Sequence, residues 1–411
     1  MRAWIIAILL GVAGATSAGM TSAQESASLG DAITSGKLIL NLRPRYEYVD
    51  QANFSENAEG LTMRTLVGWQ TGVWHGFSAK GVLNGMSVFV DDYNDTLNGK
   101  TQYPVIADPD DFDVNELYAD YSGFSDTLLR AGRQSIVLDQ ARFVGNVQFR
   151  QVMQVFNAVT AENKSLKNTD LYAGYLWRVR TVTTRQFETS TTLLHGRYAL
   201  TEHDDLIAFG YFQDQANAIA NAAFQGPAPT DTSNQILGIR GSGAHPMSDA
   251  WKLLYIAEFA AQTDYAGGDS RIDADYLHAG GGAQIGPHSL RIDYEMLGSN
   301  DGRYAFQTPL GTNHLYQGWA DVFLVTPAQG IRDTYVSYVG RAGEFTLQAA
   351  YHGFDADVGG LDFGDELDLG ISYPLMEKLV GKIEYANYQA GDPATNKSDV
   401  TKWWFTLIFN W

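Results

Sequence analysis

Arginine is the residue whose placement carries the most chemistry in this chain. Eleven of its eighteen arginines lie between residues 43 and 197. A guanidinium is always charged and presents a planar fork of N–H donors that grips a carboxylate through two parallel hydrogen bonds. Rings of such groups around a low-dielectric opening favour anions, and they let them pass when the sites are weak and many. Arg43, Arg45, Arg64, Arg178, Arg197, Arg240 and Arg291 fall on the polar faces of alternating segments. Arg130 and Arg133 have opposite parity in one segment, so only one faces inward unless a bulge intervenes. Arg142 and Arg150 lie in a connector, 138–152, long enough to fold into an opening. The eleven arginines just named, which leave out Arg180 and Arg185 and take in Arg240 and Arg291, form the candidate binding set for an anionic chain. The competing reading is structural. Arginines inside a polar barrel pair with carboxylates on neighbouring strands, and Glu47, Glu116, Asp120, Asp293 and Glu295 stand ready as partners.

Other chemistry finds little support. The eight histidines form no HExxH pattern and no GxSxG is present, so metalloprotease and serine-hydrolase constellations are missing. His195 and His352 share the face of the arginines, where a neutral polar filler is expected. Glu366 and Asp368, two apart on a strand, share a face at about 7 Å. Glycosidases use such spacings, but the lining of a polar interior explains the pair equally well. The reading is therefore not an enzyme. With Cys 0 there are no disulfides, thiolate metal sites or thiol nucleophiles. The stretches 91–95 and 108–113 offer oxygen ligands for Ca2+, yet neither follows an EF-hand loop with its Gly and terminal Glu. Solvated outer loops account for them, and no cofactor or metal is expected. A net charge of −19 leaves no basic footprint for nucleic acid.

The elements that must position these arginines alternate with period two. Residues 37–48 read KLILNLRPRYEY, with Leu38, Leu40, Leu42, Pro44, Tyr46 and Tyr48 on one face and Lys37, Ile39, Asn41, Arg43, Arg45 and Glu47 on the other. The pattern recurs in eighteen segments from 37–49 to 401–411, mostly of a length that crosses a bilayer at a tilt. Short connectors such as 72–76, 124–126 and 286–288 alternate with long ones such as 89–114, 138–152 and 298–330. A soluble sandwich has no reason for that alternation, whereas an outer-membrane barrel does. The expected fold is thus all-β, a transmembrane antiparallel barrel of about eighteen strands with short periplasmic turns and long extracellular loops. Loops 89–114 and 298–330 would gate or shield the pore. The segment 316–324 is the ambiguous one, because a strand there would spoil the even parity.

Composition agrees. Aromatics reach 12% and charged residues only 18%, against roughly 25% in ordinary soluble proteins. Tyr46, Tyr48, Trp69, Trp403 and Trp411 lie near strand ends on the apolar face, where interfacial girdles form. Trp404 falls on the polar face, as a filler or a sugar-stacking group. The N-terminus reads as a cleaved signal peptide: Arg2, an apolar run over 4–15 too short to span a bilayer, then small residues at 16–18 and 21–23. The expected division is a signal peptide at 1–23, a periplasmic lead-in at 24–36 and the barrel at 37–411. Cleavage leaves a charge of about −20, with acids gathered in loops such as Asp108, Asp110, Asp111 and Asp113. The expected partners are an anionic polysaccharide, outer-membrane lipid and periplasmic export proteins. No strand shows a lipid-face interruption suited to a trimer contact, so a monomer is expected.

Four segments together resemble the alginate-export family of outer-membrane barrels: LNLRPRYEYVD at 40–50, DDYNDTLNGKTQYPVIADPD at 91–110, LRAGRQSIVLDQARFVGN at 129–146 and GWADVFLVTPAQGIRDTYVSY at 318–338. The resemblance runs through most of the mature chain and is densest in its first third. It implies an eighteen-stranded barrel with an arginine-rich constriction for an anionic polysaccharide, alginate-like polyuronate being the first candidate. Uptake of small anions or oligouronates on the same barrel is the alternative. Two departures stand out. Ser135 follows the GRQ triplet where the family commonly has a basic residue, which thins the basic cluster by one. The last strand ends in Trp411 where Phe is usual.

Overall fold

The computed structural model describes residues 25–215 and 231–411. The signal-peptide reading at 1–23 lies outside the described residues. Among those described, eighteen strands form one sheet. They are β1 (Lys37–Gln51), β2 (Ala58–Gln70), β3 (Phe77–Asp92), β4 (Asp111–Phe124), β5 (Thr127–Gln134), β6 (Val155–Asn163), β7 (Thr169–Arg180), β8 (Gln186–Ala199) and β9 (Asp204–Asp214). They continue as β10 (Asn234–Pro246), β11 (Trp251–Asp264), β12 (Asp273–Ile285), β13 (His288–Leu297), β14 (Ile331–Ala342), β15 (Phe345–Asp355), β16 (Asp362–Met376), β17 (Leu379–Ala390) and β18 (Val400–Asn410). Each strand pairs antiparallel with its sequence neighbours, and β18 pairs with β1 to close the barrel.

Closure follows from hydrogen-bond accounting. An open edge facing hydrocarbon would leave backbone N–H and C=O groups unsatisfied, and only a closed sheet avoids this. The period-two pattern then separates two surfaces. On β1, Asn41, Arg43, Arg45 and Glu47 are buried inside, while Leu38 is exposed outside. Leu117, Val159, Leu194, Ile239, Phe259, Ile292, Tyr351 and Phe405 belong to the same exposed apolar band. Soluble monomers rarely expose contiguous apolar patches above a few hundred Å². A band running over strand after strand belongs against lipid tails. Trp403, beside Tyr385 with ring centroids 4.5 Å apart, is part of its aromatic trim.

The alternation of connectors is retained, with some outer ones shorter than the sequence implied. The stretches 179–188 and 354–364 shrink to 181–185 and 356–361, because the strands continue beyond their apolar portions. Segment 316–324 is not a strand. It belongs to the long connector after β13, which holds a single 3-10 turn, Asn313–Leu315. At the other end, a six-residue helix α1 (Leu29–Thr34) precedes β1. Trp69 Nε1 donates to Ile33 O at 2.9 Å and Gly72 N to Ala32 O at 2.8 Å, which pins this segment beside the β2–β3 turn.

Because the apolar band is the lipid contact, a charge placed in it should be costly in proportion to depth. Ile239→Arg, at mid-strand in β10, should lower folding stability in bilayers by about 2–4 kcal/mol. Urea titration of the refolded protein in lipid vesicles measures this.

Candidate functional site

Two outer connectors, 135–154 and 298–330, fold into the lumen and join into one plug. Gly145 N donates to Leu310 O and Thr312 N to Ala141 O, both at 2.8 Å. Gln154 Nε2 donates to Gly145 O at 2.9 Å and to Leu310 O at 3.0 Å, and Arg142 Nη2 donates to Gln317 Oε1 at 3.1 Å. Aromatic sockets anchor the plug to the wall. Phe143 sits among Phe209, Tyr276 and Phe306, with centroids 5.1, 5.2 and 5.9 Å away. Phe323 sits among Phe354, Phe363 and Tyr388. Phe149 stacks on His314 at 3.4 Å with Trp404 edge-on at 5.6 Å. As a result, buried lumenal residues occur on strand after strand, Arg45, Asn84, Glu258, Asp333 and Trp404 among them.

The candidate arginines divide into three groups. Arg43, Arg45 and Arg64 lie together at mid-height: Arg43 and Arg64 are opposite one another in the β1–β2 pairing, and Arg45 is two residues along β1. None of the three has a carboxylate within 4.0 Å among the described residues. Arg43 donates to Gln148 O and to Gln151 Oε1, both at 2.8 Å, and to Arg150 O at 2.5 Å. Arg45 donates to Phe149 O at 2.8 Å and Thr406 Oγ1 at 3.2 Å. Arg64 donates to Asn41 Oδ1 at 2.9 Å. Arg64 Nη1 and Trp404 Nε1 are buried without a hydrogen-bond acceptor.

The second group fastens the plug. Arg150 reaches Glu47 at 3.1 Å and Asp321 at 2.9 Å, Arg142 reaches Glu295 at 2.7 Å, and Arg240 faces Asp139 at 3.5 Å. The third group lies towards the periplasmic strand ends, each paired: Arg130 with Asp120 at 2.6 Å, Arg197 with Asp205 at 2.7 Å, Arg291 with Asp293 at 2.6 Å. For these two groups, cross-strand or loop pairing describes what the side chains touch.

Two of the eleven positions need correction as lumen-constriction residues. The β7 register shifts between Leu176 and Arg178, so a bulge turns Arg178 to the outer side. There it meets Glu188 at 2.5 Å with its side chain 39% exposed. Arg130 is the inward member of its strand. Arg133 shares the parity of Leu129, pairs across from exposed Leu117, and turns its guanidinium along the strand edge to Asp113 at 3.0 Å and Asn157 at 3.1 Å. At Gly132, φ is +132°, and a Cβ would collide with Leu117 O, so glycine is required where this strand deforms.

The carboxylates also differ from a solvated-loop picture. Asp108 is buried and accepts from Gln151 N at 2.8 Å. Asp111 pairs with Arg180, an arginine outside the candidate set. Glu366 accepts from Ala320 N at 2.6 Å and Asp368 from Trp319 N at 3.2 Å, so this pair docks the plug. His195 meets Asp139 at 2.9 Å and His352 meets Asp333 at 2.9 Å, so both are fixed partners of carboxylates. Sequence reasoning missed Gln151, Asp139, Asp321 and the carbonyls of 148–150, since a loop's path carries no periodic signal. Lys402, on the polar parity of β18, was findable; it bonds Asp321 at 3.1 Å.

Electrostatics at the plug follow burial and pairing. Burial lowers the Arg150 pKa, but Glu47, Asp108 and Asp321 outweigh it and raise it overall. Burial raises Asp321, yet Lys402, His314 and Arg150 hold it well below the ordinary carboxylate value. Burial pushes His314 below an ordinary imidazole despite the pull of Asp321. His314 accordingly stays neutral at pH 7, bonded through Nδ1 to Asp321 Oδ1 at 2.8 Å.

A closed eighteen-strand barrel with an apolar exterior and an arginine-bearing lumen is a channel of the bacterial outer membrane. The family model for alginate export matches residues 37–308, about two thirds of the chain, and the protein belongs to that family. No curated protein matches the chain. Solved structures share the fold. Acinetobacter baumannii OccAB2 aligns at TM-score 0.71 and 16% identity, covering 93% of this chain and 99% of its own. Pseudomonas aeruginosa OpdL aligns at TM-score 0.68 and 15% identity, covering 92% and 99%. Pseudomonas aeruginosa OpdK, solved with vanillate, aligns at TM-score 0.70 and 13% identity, covering 92% and 99%.

Two outcomes follow from the plug contacts. Arg150→Met strands Glu47 in a buried site, and losing one partner of a buried pair costs roughly 3–5 kcal/mol. Plug docking should weaken and basal conductance in planar bilayers should rise several-fold. Acid should act in the same direction. A docked His314 with lowered pKa resists the proton that a released loop accepts, so docking weakens as pH falls below about 6.5. Asp321, held low, adds a further loss only as pH falls below about 4. Basal conductance should rise from pH 7 to pH 5, and His314→Asn should abolish that first rise.

Proposed function

We propose that the protein conducts an anionic polysaccharide of the polyuronate type across the outer membrane, towards the exterior. One observation carries this reading: Arg43, Arg45 and Arg64 crowd together at mid-height with no carboxylate within 4.0 Å among the described residues, while the other eight candidate arginines are all paired. Adjacent like charges are destabilising. Such a cluster persists in a folded wall when something other than stability selects it, and carboxylate-bearing cargo supplies that reason. A polymer with one carboxylate per sugar would move from one weak site to the next. Orphaned Trp404 Nε1 and Arg64 Nη1 flank the cluster as spare donors for sugar hydroxyls or carboxylates.

Export, not uptake, draws its support from the family description. Residues 1–23 serve as the secretion signal in this reading, 24–36 as a periplasmic lead-in, and the barrel works as a monomer with periplasmic partners delivering the polymer. Uptake of small carboxylates is the second reading, and what favours it is the fold shared with OpdK solved with vanillate.

The test is reversal potential across a KCl gradient in planar bilayers. We expect anion selectivity, block by oligouronate at high concentration, and a several-fold fall in the chloride-to-potassium permeability ratio when Arg43, Arg45 and Arg64 are replaced by Gln. Cation selectivity indifferent to those replacements would sink the reading.

A further inference from the structure

The three unneutralised arginines are not bare. The turn over 147–150, in the first plug loop, lies on Arg43 and Arg45 and presents three consecutive backbone carbonyls, while Arg64 donates to Asn41 of the wall. Gln148 O and Arg150 O accept from Arg43, Phe149 O accepts from Arg45, and the neighbouring Gln151 amide oxygen completes the set on Arg43. The Phe149 ring also covers the Arg45 guanidinium, with Cζ 4.3 Å from its centroid. The turn is strained. Val147 has φ +48°, a left-handed conformation that a β-branched side chain rarely adopts. Its other backbone bonds are few, Val147 N to Thr312 Oγ1 at 3.1 Å and Arg150 N to Val147 O at 3.1 Å, but its side chains are held too: Arg150 by Glu47 and Asp321, Phe149 by the stack on His314. The aromatic socket of Phe143 and the Gly145–Leu310 bond lie before the turn and stay made when it lifts, whereas lifting breaks the Phe149–His314 stack and releases the Arg150 ion pairs.

We propose that this turn is a resident stand-in for cargo, and that an anionic oligosaccharide opens the channel by exchanging its carboxylates for the carbonyls of 148–150 on Arg43 and Arg45. The proposal rests on the anion-channel reading above and adds its gate. A ligand shifts a two-state equilibrium only by the difference in its affinity for the two states. Here Arg43 and Arg45 are free to take a carboxylate only when the turn is away, so the anion binds the open state alone. A carboxylate moreover meets a guanidinium with full opposite charge and through two parallel bonds, where a backbone carbonyl offers only a dipole and a single oxygen. A neutral sugar polymer lacks that advantage and leaves the gate closed. Selection and opening are then one event, which keeps the outer membrane sealed when no cargo is present.

The experiment uses the full-length protein in planar bilayers, titrated with an oligouronate and, separately, with an uncharged oligosaccharide of equal length. The expected result is a rise in open probability of several-fold at oligouronate concentrations below those that block, with no rise from the neutral sugar. Arg43→Gln with Arg45→Gln should raise the basal open probability and remove the response to oligouronate. Since the chain contains no cysteine, Gln148→Cys places a single reporter thiol on the turn while keeping the backbone carbonyl. Its labelling by an uncharged hydrophilic maleimide should accelerate several-fold with oligouronate. Oligouronate that only reduces conductance and leaves the labelling rate unchanged, in a channel that is still anion-selective, overturns the gate and leaves the channel reading intact. A channel that prefers cations overturns both.

Discussion

In hydrocarbon a peptide group has no water to turn to, and every N–H and C=O of a spanning strand must find its partner in the sheet itself. The pairing of β18 with β1 is the consequence. Once the sheet is closed, the pleat sends successive side chains to opposite sides without further choice. Leucine, phenylalanine and isoleucine meet lipid, and the polar half of each strand is delivered to the interior. Charge gathers in the lumen because the lipid face cannot hold it.

An interior so charged then imposes its own constraint. A buried guanidinium or carboxylate must be paired or hydrogen-bonded. The two inward loops meet that demand in opposite ways. Wall carboxylates Glu47, Glu295, Glu366 and Asp368 take loop donors. Wall arginines Arg43 and Arg45 take loop carbonyls. The plug is thus held by polar contacts from its own backbone and from Arg142 and Arg150, with aromatic sockets fixing its position. On one side those contacts are full ion pairs; over Arg43 and Arg45 they are neutral. That asymmetry is what distinguishes an interior merely filled from one with affinity left over for an anion.

How far the sequence reached is visible residue by residue. Strand positions were legible because burial on one face writes a period of two into the chain. That Arg43, Arg45 and Arg64 share the polar face was read from it, while their meeting at one height belongs to the β1–β2 register of the structure. The bulge in β7 that reverses Arg178 was not legible, since one extra residue shifts parity without any compositional mark. Nor was the difference between arginines that fasten the plug and those left unneutralised. Arg150 and Arg43 look alike in the sequence, and only the path of the loop gives one of them Glu47 and Asp321 and the other three carbonyl and amide oxygens.

The sequence by itself determined the barrel, its orientation of faces and the excess of arginine within. These are local properties, fixed by alternation along each strand and by the medium it crosses. The tertiary structure alone decided which arginines are neutralised and that loops 135–154 and 298–330 interlock across the lumen. Those outcomes depend on contacts between residues more than a hundred positions apart, such as Arg43 with Gln151 and Arg142 with Gln317, and no local pattern encodes which distant groups a folded loop will meet.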